Sequence, residues 1–158
     1  MSKLAKFKAL CKKNQIQLAF LFGSQAQIGY DLLCGRKKSS FDKLGDLDLG
    51  IVFLSNQVVK DIERKLNLYG ILYEELSTIF SPLKLDLVFL EETDYLIQYA
   101  AINGINIFKA SDIALADYVE KVTKLAADWS VEVRLFQQEV MEAIRDGQIT
   151  VEYNFNPR

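Results

Sequence analysis

The sequence has no histidine, two cysteines and two prolines among its 158 residues. Without histidine there is no Ser-His-Asp triad, no Cys-His nucleophile and no His-ligated zinc. Cys11 and Cys34 form no CxxC pair and give no disulfide framework. No long uninterrupted apolar run reads as a membrane span, and the N-terminus lacks an apolar stretch followed by a cleavage site. A strong excess of charge is missing too. The formal net charge is −2, which argues against direct nucleic-acid binding driven by bulk charge. Together these absences lead us to expect a reduced, cytoplasmic protein with no membrane contact.

What is present is the composition of a soluble globular domain: half the residues are apolar and a quarter charged. A chain of this length buries roughly two thirds of its unfolded surface, so it needs no staples. The charge is unevenly spread. Residues 1–45 carry a formal +7, and the remainder carries −9. Lys3 to Lys13 read as the solvated face of a helix. Arg36, Lys37 and Lys38 fall in a polar loop, from which they could meet an anionic ligand such as a triphosphate.

Residues 2–13 have helical spacing, with Leu4, Phe7, Leu10 and Cys11 on one side. Residues 16–22 read as a largely buried strand ending at Gly23, and Ser24 is placed to cap a short helix running to Tyr30 or Leu33. Strands follow at 46–54 and 84–90, with helical periodicity over 57–80 and an expected break near Gly70. Residues 93–103 read as helix and Ile105–Lys109 as a short final strand. From Val119 to Ile144 apolar residues recur every three or four positions, a stripe long enough to break into two helices or to reach a partner. Ile149–Tyr153 could add a short strand. This division predicts a core over 1–110 and a helical extension over 111–158 packed upon it.

Three features carry chemistry: Gly23-Ser24 directly after a strand, Asp46-Leu-Asp48 opening a second strand, and Asp86 within a third. Residues two apart on a strand share a face, so Asp46 and Asp48 stand side by side while Leu47, Leu49 and Ile51 face a core. Asp86 likewise lies opposite Leu85, Leu87 and Phe89. Carboxylates on apolar strands are costly unless paired. A divalent cation offsets that cost, and clustered oxygen donors suit Mg²⁺ or Mn²⁺. Gly23-Ser24 at a strand-to-helix junction offers backbone N–H groups and a hydroxyl to a phosphate. Acids holding a metal beside a phosphate cradle describe phosphoryl or nucleotidyl transfer.

Leu-Phe-Gly23-Ser24, Asp46-Leu-Asp48-Leu and Lys-Leu-Asp86-Leu-Val resemble the motifs of the DNA polymerase beta-like nucleotidyltransferase superfamily, and in particular its minimal nucleotidyltransferases (MNT). The resemblance spans about residues 15–145. It implies an α/β (α+β) fold: a polymerase beta-like core with a small mixed sheet, helices mainly on one face, and a C-terminal helical segment. It also implies roles. Gly23 and Ser24 would bind the nucleotide phosphates, Asp46 and Asp48 the metal, and Asp86 would complete the metal site or act as base. ATP would be the substrate and Mg²⁺ or Mn²⁺ the cofactor. The partner would be a HEPN-type toxin, with AMP moved onto one of its tyrosines in an antitoxin role. Occlusion of the toxin by a catalytically weak protein, transfer to a small molecule, and a homo-oligomer all stay open. The sequence departs from the family in three ways. The spacer at 25–45 is long, Gln25 and Gln27 stand where arginines are usual, and Gly45 replaces a serine. Arg36, Lys37 or Lys38 could replace the missing cations.

Overall fold

The computed structural model describes residues 1–36, 45–54 and 60–148. Lys37, Lys38 and the strand expected at Ile149–Tyr153 lie outside the described residues. Along the chain run α1 (Lys3–Lys13), β1 (Ile16–Phe22), α2 (Ala26–Leu33), β2 (Leu47–Phe53), α3 (Ile62–Phe80), β3 (Leu85–Phe89), α4 (Tyr95–Ile102), β4 (Ile105–Lys109) and α5 (Asp112–Arg145). The strands form one mixed sheet in the order β3-β2-β1-β4. β1 is antiparallel to both β2 and β4, whereas β2 and β3 are parallel. The parallel pair needs a crossover, and α3 supplies it.

Alternation along the strands divides the apolar side chains between two layers. Leu47, Leu49, Ile51 and Phe53 of β2 and Leu85, Leu87 and Phe89 of β3 pack with Phe7 of α1, Leu33 of α2 and Leu72, Leu76 and Phe80 of α3. Leu18, Phe20 and Val52 point to the other face, where Ala101 of α4 and Tyr118 and Val122 of α5 cover them. Three helices thus lie on one face of the sheet, and two close part of the other. Ser2, Asp61, Asp94 and Ser111 cap α1, α3, α4 and α5 by accepting hydrogen bonds from first-turn N–H groups.

Two expectations about helices change. α3 runs unbroken through Gly70, because Leu72 and Leu76 on its inner face are fully buried. Their burial outweighs the cost of about 1 kcal/mol that glycine brings to a helix interior. α5 is also continuous, 34 residues long, or about 50 Å.

Gly70 is exposed, and nothing lies within 4 Å of a Cβ placed there. Gly70→Ala should therefore raise the unfolding free energy by about 0.5–1 kcal/mol. Gly104 is the contrast: a Cβ there would meet the Leu21 carbonyl oxygen at 2.2 Å, and Gly104→Ala should destabilise. Urea titration of the two variants measures both changes, and equal effects would show that the two glycines do not differ in this way.

Candidate active site

The core fixes which way the acids face. With Leu47, Leu49 and Ile51 drawn into the layer under α3, Asp48 must point to the opposite side, and Asp86 does so for the same reason on β3. The parallel register sets Asp48 directly beside Asp86. Phe22 is the β1 partner of Asp48, so Gly23 and Ser24 emerge at that same end of the sheet. Asp46 precedes β2 by one residue and is exposed. Lys84 lies 3.5 Å from it, Nζ to Oδ1. Lys84 lies outside the three motifs that carry chemistry in the sequence. The signal was there in alternation, since Lys84 and Asp86 share a face as Asp46 and Asp48 do.

Asp48 is half-buried, and its carboxyl is pushed above the usual carboxylate range. Burial is the main cause, followed by the charge of Asp86, a hydrogen bond shared with the Asp86 side chain, and the charge of Asp46. The Tyr69 hydroxyl, which donates to the Leu87 carbonyl at 3.1 Å, is also pushed up, by burial and then by Asp86. Among the described residues, no basic side chain lies within ion-pair distance of Asp48 or Asp86. Nor do three His, Cys, Asp or Glu side chains among them already stand as a metal-holding group. Asp48 and Asp86 are together, while Asp46 is engaged by Lys84. The donors are hard carboxylate oxygens, the type Mg²⁺ and Mn²⁺ take, and the shared hydrogen bond marks a place where positive charge is wanted.

Gly23 makes the close approach possible. Its φ is +76°, and a Cβ there would lie 2.3 Å from Asp48 Oδ2. Only glycine allows both the left-handed turn and the carboxylate behind it. Ser24 is exposed and is not the helix cap. That position falls to Gln25, which makes no side-chain cap bond. The first turn of α2 thus begins two residues after Ser24, with N–H groups lacking intrahelical acceptors.

Of the residues at the arginine positions, Gln25 turns inward and Gln27 stays exposed on α2. Gln25 is buried and packs beneath Gly45, and Gln27 Nε2 donates to Asp31 Oδ1 at 3.0 Å. Arg36 follows the far end of α2, where it pairs with Asp31 at 3.4 Å and lies over the Tyr30 ring. It stands a helix length from Ser24 and supplies no cation beside it. A cleft of about 660 Å³ opens at the other ends of β2 and β3, lined by Val52, Glu91, Gln98 and Tyr118. Its volume does not mark the site, because the paired acids lie elsewhere. No described helix is long and apolar enough to cross a membrane.

Comparison with known proteins supports what the geometry suggests. No curated protein matches the sequence. Solved structures match over most of their length. One is a mutant of the toxin-antitoxin MntA-HpeT in which two aspartates two positions apart are glutamates. It is 16% identical with a TM-score of 0.60, over 87% of this chain and 98% of that one. A toxin-antitoxin structure with AMP-PNP is 18% identical with a TM-score of 0.57, over 87% and 98%. A tri-AMPylated Shewanella oneidensis HEPN toxin in complex with MNT antitoxin is 16% identical with a TM-score of 0.57, over 88% and 96%. At such identities the likeness is one of fold. The family model "Polymerase beta, Nucleotidyltransferase" matches residues 5–113, a span that holds Gly23, Ser24 and all three acids, and the chain belongs to that family.

Proposed function

We propose that this protein moves AMP from ATP to a hydroxyl acceptor, a tyrosine of a cognate HEPN-type toxin, and thereby acts as an antitoxin. The observation that carries this reading is the in-register Asp48–Asp86 pair beside Gly23-Ser24. AMP-PNP and a tri-AMPylated HEPN toxin in neighbouring structures support the choice of nucleotide and acceptor. Mg²⁺ or Mn²⁺ held by Asp46, Asp48 and Asp86 would neutralise the triphosphate and polarise the α-phosphoryl group. Gly23, Ser24 and the first turn of α2 cradle the phosphates. The acceptor oxygen attacks the α-phosphorus in line. A phosphodiester bond forms as the bond to the α,β-bridging oxygen breaks. Pyrophosphate leaves with the electron pair, and the hydroxyl proton passes to the Asp86 carboxylate.

A second reading is favoured by one specific observation. Gln25 is buried, Gln27 is taken up by Asp31, and Asp46 is tied to Lys84. This is what a protein that neutralises its partner by occlusion, with weak catalysis, would present.

Three experiments test the proposal. Thermal melting with Mg²⁺-ATP at 100 times its dissociation constant should show about 2.7 kcal/mol of added stability, absent in Asp46→Asn/Asp48→Asn. The same double variant should lose transfer of labelled AMP to the toxin. Full rescue of toxin-expressing cells by that variant, at matched expression, would instead establish occlusion.

The strained charge at Asp48 gives a pH dependence. Its folded-state pKa is raised above the usual 3.8, so folding disfavours the ionised form. The penalty is complete at neutral pH, shrinks as pH falls through the raised pKa, and is gone below the usual value. Asp48→Asn should therefore unfold at higher temperature than wild type near pH 7, with the gap closing toward pH 3. A gap independent of pH would assign it to shape rather than charge.

Gly23→Ala should cost about 1–2 kcal/mol from the left-handed backbone alone. It should also displace the Asp48 carboxylate, so transfer should fall further than melting predicts. Unchanged transfer at unchanged stability would show that the close approach has no part in the reaction.

A further inference from the structure

The two halves of α5 do different things. Tyr118 and Val122 are buried against the sheet and α4, and Ala126 is buried one turn further on. Beyond Ala126 no side chain of α5 belongs to either core layer formed by the described residues, and Trp129, Val133 and Val140 are half-buried. Yet the same spacing continues through Trp129, Val133, Phe136 and Val140, and Phe136 is 66% exposed. One flank of this stripe is acidic, with Glu132 and Glu139 seven residues apart. The other is neutral, with Ser130 and Gln137.

On the far side of the sheet, α1 and α3 enclose a groove of about 610 Å³ with Leu10, Ile71 and Ile79 along its floor. Its α1 rim carries Lys6 and Lys13, also seven residues apart, and its α3 rim carries Glu74 and Glu75. Seven residues is two helical turns, about 10 Å, so each pair lies on one line of its helix. None of these six charged side chains forms an ion pair among the described residues.

We infer that the distal half of α5 docks into the α1–α3 groove of a second copy of this chain. Phe136 enters the groove, Glu132 and Glu139 run along the Lys6–Lys13 rim, and the neutral flank faces Glu74 and Glu75. Charge complementarity sets the orientation. The reverse orientation would bring four glutamates together and leave both lysines unpaired. The contact must be made in trans, because α5 packs on the face of the sheet opposite α1 and α3. Helix and groove are different surfaces: exchanged reciprocally between two chains they close as a two-fold pair, and used once per chain they propagate head to tail. The inference does not depend on AMP transfer, since neither surface includes Asp46, Asp48 or Asp86.

Sedimentation of the full chain over a concentration series, without nucleotide, provides the test. The expected result is concentration-dependent association to a mass of two chains or more, seen equally in Asp46→Asn/Asp48→Asn. Glu132→Lys/Glu139→Lys and Lys6→Glu/Lys13→Glu should each weaken association about tenfold or more through like-charge contacts. Mixing the two variants should restore it. Phe136→Ala should abolish it at unchanged melting temperature, since this side chain lies outside both core layers. Three results would overturn the inference: a monomer at every concentration, association indifferent to both charge reversals, or a monomer whose α5 variants lose toxin binding instead.

Discussion

Two carboxylates held in register on neighbouring parallel strands, with no basic side chain at ion-pair distance from either among the described residues, are the constraint on which the candidate site depends. Asp48 and Asp86 face each other because Leu47, Leu49 and Ile51, and Leu85, Leu87 and Phe89, are drawn the other way into the layer under α1 and α3. A slip of one residue in either strand would bury a carboxylate and expose a leucine row. The apolar energy of the core therefore enforces the repulsion at the site. The glycine at 23 adds to this, since its turn leaves room for the Asp48 carboxylate and for little else. The strain is local and is held by packing that surrounds it on one side.

How much of this was legible in the sequence follows from what local patterns encode. Period-two alternation told which face each acid takes, because that depends on immediate neighbours alone. It could not tell that β2 and β3 are parallel and in register, nor that Lys84 would reach Asp46, because pairing is settled by contacts distant in sequence. Gly70 read as a break for a related reason. Its propensity is local, whereas the burial of Leu72 and Leu76 that overrides it is tertiary. Residue type makes Ser24 a cap, but Gln25 takes that position, and the serine is left exposed beyond the end of the central strand β1.

The stripe along α5 shows a limit of another kind. Its spacing is the same before and after Ala126, yet the first half packs on the sheet and the second half does not. A three- and four-residue repeat says that one side of a helix seeks an apolar neighbour. It carries no information about whether that neighbour belongs to the same chain. The distinction is geometric. A helix of about 50 Å overruns a four-stranded sheet whose strands are five to seven residues long, so among the described residues its far turns lie beyond both core layers.

The charge balance at the proposed site leads one step further. Among the described residues, Asp46, Asp48 and Asp86 bring three negative charges and Lys84 one positive charge, while Gln25 and Gln27 contribute none and Arg36 is held by Asp31. A free triphosphate approaching this end of the sheet meets net repulsion, which the first turn of α2 offsets only in part, at about half an elementary charge. On the proposed reading, nucleotide and divalent cation must then arrive as one species. Nucleotide affinity should depend more steeply on the metal here than in relatives that keep arginines after the Gly-Ser pair. On that reading the loss of those arginines would move the work of phosphate binding from side chains to the cation, and the Asp46 carboxylate would turn from Lys84 or share its two oxygens between Lys84 and that cation.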